Sequence, residues 1–171
     1  MLNKKILFFS FFFISFNLLS QTISSQEIKN LAFEIIKDSK NSVLVTINSL
    51  GKPTSRIMDH HIISKELDIY LVTNPLSRKV THLKLNSSIS INFQSPDEQN
   101  YVSINGKGIL IDDINLKTKY WKNDWTPFYN NIDTDCILIQ IIPQSLELVS
   151  LSNDITGDPK TWKPKTIIID D

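Results

Sequence analysis

The stretch from Asp68 to Pro96 constrains the fold more than any other part of this chain, because strand, helix and strand follow one another with almost no linker. An apolar run, Ile69 to Thr73, reads as a strand and stops at Asn74-Pro75. Asn74 suits a helix N-cap with Pro75 at the first helical position, which places Ser77, Arg78 and Lys79 in the first turn. The helix is expected to close near Asn86, and the next strand alternates Ile89, Ile91 and Phe93 with Ser90, Asn92 and Gln94. A helix start offers unpaired N–H groups and a partial positive charge, and here two cationic side chains join it. That combination suits a phosphate monoester. The competing reading is a solvated basic surface, since cations at a helix start oppose the macrodipole.

The rest of the chain reads as strands with short connections. Ser24 and Glu27 make a capping box, and Ile28, Leu31, Ala32, Ile35 and Ile36 fall on one helical face, so this helix packs on a core. Ser42 to Ser49 is a β-branched strand turned at Leu50-Gly51-Lys52-Pro53 into a second strand, Thr54 to Ile63. A strand from Tyr101 to Ile111 contains Gly106 and Gly108, marks of a bulge or bend. Asp112 or Asp113 can cap a helix to about Trp121, a polar aromatic loop follows, and Cys136–Ile142 and Ser145–Leu151 read as a hairpin through Pro143-Gln144. The tail from Ser152 holds a further strand at Thr166 to Ile169. About six antiparallel strands with short connections and flanking helices give a mainly β (α+β) fold, a barrel rather than a βαβ array.

Composition matters at the N-terminus. Lys4 and Lys5 precede an apolar run from Ile6 to Leu19 that carries six of the nine Phe, and polar residues begin at Ser20. The run is short for a membrane crossing, which needs about 20 apolar residues, and has the plan of a secretory signal over residues 1–20. The expected product is secreted or periplasmic, membrane-bound only if the segment is uncleaved. The domain then spans 26–151 and the tail 152–171. Lys plus Arg equal Asp plus Glu at 18 each, so no overall field draws nucleic acid. A single cysteine, Cys136, excludes an intrachain disulfide and reads as a small buried hydrophobe.

Few residues suggest chemistry of their own. His60 and His61 are adjacent and face opposite sides of a strand, and His82 lies far from both, so no metal site is expected. Trp121 and Trp125 read as core, with stacking on a flat ring as the alternative. Arg56 shares a strand face with Met58 and His60, and turned inward it needs a partner.

With Arg56 in place, four segments in order resemble the pyridoxamine 5′-phosphate oxidase-like flavoproteins, specifically their general-stress-protein branch: G-K-P-T-S-R-I-M, D-I-Y-L-V-T-N-P-L-S-R-K, L-N-S-S-I-S-I-N-F and Y-V-S-I-N-G-K-G. The resemblance covers roughly residues 26–150 and implies a six-stranded FMN-binding split β-barrel working as a homodimer with the flavin at the interface. It implies that Arg56 and the backbone of Ile57 and Met58 line the flavin, with Val72 and Thr73 at the ring edge. Ser77, Arg78 and Lys79 would grip the FMN phosphate, Gln94 and Ser95 would approach from the next strand, and Trp121 or Trp125 would belong to the partner's half. True pyridoxamine phosphate oxidases carry a lysine shortly after the arginine motif and a tryptophan-to-arginine C-terminal segment. Asp59-His60-His61 stands here instead, and oxidation of pyridoxamine phosphate is not expected. The resulting expectation is an FMN-dependent oxidoreductase using a small acceptor, with no side chain marked as acid or base. The alternative is a non-catalytic module for flavin, haem or another flat ligand.

Overall fold

The computed structural model describes residues 23–169, so the expected export signal lies outside the described residues. Among the described residues eight strands form one antiparallel sheet: β1 (Ser42–Ile47), β2 (Pro53–Met58), β3 (His61–Ile62), β4 (Ile69–Thr73), β5 (Ser88–Gln94), β6 (Asn100–Ile111), β7 (Ile137–Ser150) and β8 (Lys165–Ile168). Their order is β2-β1-β5-β6-β7-β4-β3, with β8 added to β7, which leaves β2 and β3 as unjoined edges of a half-barrel.

Strand patterning dictates which side is filled. In β1, Ser42, Leu44 and Thr46 are buried while Val43 stands out, and β5 buries Ile89, Ile91 and Phe93 in the same alternation. Leu44, Ile91, Val102, Ile104, Leu146 and Leu148 meet inside the curve. Each such fully buried aliphatic side chain contributes about 1.5–3 kcal/mol of transfer free energy.

Two helices close the ends. The helix α1 (Ser25–Asp38) has the expected capping box, and its buried stripe of Ile28, Ala32, Ile35 and Ile36 enters the core. Ser39, just past it, donates to the Gln94 carbonyl, so α1 sits at the end of the strands where β5 finishes. The helix α2 (Arg78–Leu85) sits at the other end, where Leu83 lies so close to Gly108 that a Cβ there would come within 3.0 Å of it. A third helix, α3 (Ile114–Lys119), is capped by Asp113 and precedes a short 3₁₀ turn at Asn123–Phe128.

Three expectations change. The eight strands exceed the six expected, because the second strand breaks at Asp59-His60 into β2 and β3 and the tail strand joins the sheet. The hairpin expected at Pro143-Gln144 is absent: β7 runs unbroken through both residues. It pairs with β6 throughout, with β4 over Ile137–Ile141 and with β8 over Ser145–Leu148, so Pro143 falls where neighbours change and its missing N–H costs little. Opposite it, the expected irregularity falls between Asn105 and Gly106. Finally, α2 begins three residues later than expected. Asn74 accepts the Leu76 N–H in a local turn, and Ser77 becomes the N-cap without a side-chain capping bond.

A second apolar layer covers the outer side of β4 and β7. Tyr70, Val72, Cys136 and Leu138 meet Trp125 there, with Tyr120, Trp121, Tyr129 and Ile132 around them. Lys117, fully buried, staples this covering segment: its Nζ lies 2.6 Å from Asp112 Oδ1 and donates at 2.6 Å to the Asp133 carbonyl.

Candidate anion and cofactor site

Three elements converge at the α2 end of the half-barrel. The register pairs Arg56 on β2 with Leu44 on β1, and Thr54 with Thr46, so Arg56 and Thr46 share the inward face. Arg56 Nη1 donates to the Thr46 hydroxyl at 2.8 Å and to the Leu44 carbonyl at 3.2 Å. Its Nε–H and Nη2 groups find no acceptor among the described residues, and that edge of a guanidinium matches an oxyanion with two parallel bonds. From the end of β4 the Thr73 hydroxyl donates to Ser77 Oγ at 3.2 Å and accepts from Lys79 Nζ at 2.7 Å. Strand end and helix start are thereby clamped together, and the first N–H groups of α2 lack intrahelical partners.

Every charge acting on this cluster is positive. Burial lowers the Arg56 pKa and Arg78 lowers it further. Burial likewise lowers Lys79, helped by Arg56 and Arg78. Among the described residues no carboxylate forms an ion pair with Arg56, Arg78 or Lys79. Like charges brought together without a counter-charge define a place for an anion.

The remaining expected residues divide. Ile57 points outward from β2 and is 71% exposed, whereas Met58 packs partly against the core. Ile57 and Gln94 line a hollow of about 360 Å³ with Val43, Asn92 and Tyr101, on the outward face of the sheet. Val72 is buried beneath the aromatic layer. Ser95 is held in the turn before β6, where its hydroxyl bonds with Asp97 and Asn100, and it does not join the cationic cluster. Trp125 and Trp121 pack within their own chain, and Trp125 Nε1 donates to Asp59 at 2.8 Å.

Sequence reasoning missed His82, which it set apart from the other histidines. The structure buries it against Thr46, with Nδ1 and Oγ1 2.9 Å apart. A signal existed, because His82 stands four residues after Arg78 and shares its helix face. Among the described residues no three His, Cys, Asp or Glu side chains gather as metal ligands, and no helix is long and apolar enough to cross a membrane.

A half-barrel with open edge strands, flanking helices and a cationic corner beside β2 defines a split-barrel protein. The profile of the pyridoxamine 5′-phosphate oxidase like family matches residues 26–148, and the chain belongs to that family. Solved structures agree on the fold. The general stress protein 26 of Bacillus anthracis str. Sterne superposes with a TM-score of 0.66 at 20% identity, over 83% of this chain and 98% of that one. A Clostridium acetobutylicum protein related to general stress protein 26 of B. subtilis gives 0.70 at 19% identity, over 85% and 97%. An F420 reductase gives 0.53 at 14% identity, over 66% and 93%. No curated protein matches the chain.

Proposed function

We propose that this chain is an FMN-binding split-barrel flavoprotein of general-stress-protein type, an oxidoreductase acting on a small acceptor rather than on pyridoxamine phosphate. The observation that carries the reading is the convergence of Arg56, Arg78 and Lys79 without a carboxylate partner among the described residues. A phosphate monoester supplies the missing charge. In this reading Ser77, Arg78, Lys79 and the free edge of Arg56 hold the phosphate. The backbone of Ile57 and Met58, with Thr73, Gln94 and the main chain at Val72 and Ser95, borders the flat part of the cofactor. Bound flavin would supply the hydride or electron transfer, and the chain supplies charge, orientation and exclusion of water. A neighbour named as an F420 reductase is consistent with redox use of the fold.

The family reading adds a homodimer, and the apolar run from Ile6 to Leu19 after Lys4 and Lys5 separately supports export. Val43 and Tyr101, 40% and 38% exposed, surround the outward hollow with Ile57, and an apolar sheet face of this kind suits a second copy. Val43→Lys should then convert a dimer to a monomer in light scattering while the far-ultraviolet dichroism stays that of the folded chain, with the melting temperature lowered only by the lost association.

The deciding experiment is the visible spectrum of protein purified from cells and titrated with FMN. A flavin spectrum bleached by a reductant and restored by an acceptor supports the oxidoreductase. A flavin that binds but passes no electrons on would leave the binding-module alternative. Protein that takes up no FMN ends the flavin reading.

A further inference from the structure

The Thr46 hydroxyl has one proton and two polar neighbours. It accepts from Arg56 Nη1 at 2.8 Å, and its contact with His82 Nδ1 at 2.9 Å is the only other hydrogen bond it makes among the described residues. The hydroxyl could accept from both neighbours, but its own proton would then lack a partner, and Nδ1 is the one acceptor the described residues offer it; full pairing therefore assigns a neutral imidazole protonated at Nε2. The surroundings favour that state. His82 is 9% exposed, and the charged groups facing it are Arg56 from β2 and Arg78 from its own helix, while β1 offers only the uncharged Thr46. Burial, then these two cations, lower its pKa.

We propose that His82 is a positioning residue for Arg56: as a hydrogen-bond acceptor it orients the Thr46 hydroxyl, which fixes Nη1 and leaves the Nε–Nη2 edge facing the anion site. The inference rests on the anion-site reading above and extends it to a residue that would not touch the ligand. A long flexible arginine offers an oxyanion a useful fork only if its head is held in one orientation beforehand. The Leu44 carbonyl and Thr46 supply that hold, and His82 determines which way the Thr46 lone pairs point.

Two readouts need no ligand. Nitrogen-15 spectra of the imidazole should show Nδ1 unprotonated and Nε2 carrying the proton. The Arg56 Nη1 protons, slow to exchange in the wild type, should exchange faster in Thr46→Val and His82→Leu. A proton on Nδ1, or Arg56 exchange indifferent to His82→Leu, overturns the proposal whatever FMN does. For the site itself, FMN titration should show His82→Leu and Thr46→Val each weakening binding about three- to tenfold, the scale of one neutral hydrogen bond. The double variant should lose no more than Thr46→Val alone, because His82 acts through that hydroxyl. His82→Asn, which keeps an acceptor near the Nδ1 position and cannot titrate, should restore wild-type affinity and guard against a mere folding defect. Full additivity, or His82→Leu protein that binds FMN as the wild type does, overturns the proposal. If the wild type binds no FMN, the flavin reading fails separately and the two spectra alone decide the role of His82.

Discussion

Lys79 Nζ donates to the Oγ1 of Thr73 across 2.7 Å, tying the second residue of α2 to the last residue of β4. Arg78, beside it, makes no side-chain bond of this kind among the described residues and stays exposed. One cation is thus preset by the fold while the other is free to meet an anion. Replacing both by Ala should weaken FMN binding about tenfold to a hundredfold, as expected for one or two charge-assisted bonds, and leave riboflavin binding almost unchanged. Fluorescence titration with the two flavins checks this, and equal losses for both would remove the phosphate assignment.

Asp59 holds the aromatic layer to the end of β2. One oxygen accepts from Lys122 Nζ at 2.7 Å and the His60 N–H at 2.8 Å, and the other accepts from Trp125 Nε1 at 2.8 Å. Burial pushes its carboxyl up, but the bonds from Lys122 and Trp125, the Lys122 charge and the His60 N–H outweigh burial and hold it below the usual range. Asp59→Asn should cost about 1–2 kcal/mol, because part of the carboxylate still meets water. Near-ultraviolet dichroism should report the freed Trp125, and an unchanged melting curve would contradict the assigned role.

His60 gives the fold a sensitivity to mild acid. Its Nε2 lies 2.8 Å from the Ile36 carbonyl, and its Nδ1 is buried with no partner among the described residues. Burial lowers its pKa, and the Ile36 bond and Asp59 only partly reverse that. Unfolded, the imidazole takes a proton below about pH 6.5. The folded chain binds that proton only at lower pH, so stability is complete above about pH 6.5 and falls as pH drops towards the folded value, below which the loss levels off. His60→Phe should flatten this part of the stability–pH curve in denaturant titrations. Its ring can keep the edge contact with Phe93, now 4.9 Å between centroids. Identical slopes for the two proteins would exclude His60 as the source.

Gly106 sits where β6 and β7 approach closely. A Cβ there would stand 2.1 Å from the Ile142 carbonyl oxygen, a backbone atom that cannot swing aside. Gly106→Ala should cost about 1–3 kcal/mol or more by forcing β6 and β7 apart. Thermal melting measures it, and a neutral result would mean that the bulge relaxes freely.

Much of this architecture is legible in the residues alone, because local signals there have one outcome. Ser24 with Glu27 and the spacing of Ile28, Ala32 and Ile35 specify α1, and the alternation from Ser88 to Gln94 specifies β5 and its buried face. The misreadings share a cause: a local signal has several outcomes, and tertiary pairing picks one. Pro143-Gln144 reads as a turn, yet a proline is also acceptable in a strand where its N–H is not needed. Asn74 and Ser77 are both good caps, and the short turn closed by Asn74 passes the role to Ser77. The site divides in the same way. Ser77, Arg78 and Lys79 are adjacent in sequence, so their meeting is visible there. Thr46, Arg56 and His82 come from three elements, and only strand register and helix packing bring them together.

The handover along β7 gives the C-terminal residues a protective duty. Over Ser145–Leu148 the side of β7 away from β6 is covered by β8. A chain cut before Lys165 would leave those amides and carbonyls bare, a ready template for strands of other molecules. Loss of a few terminal residues would then betray itself as aggregation, long before any change at the distant cationic corner.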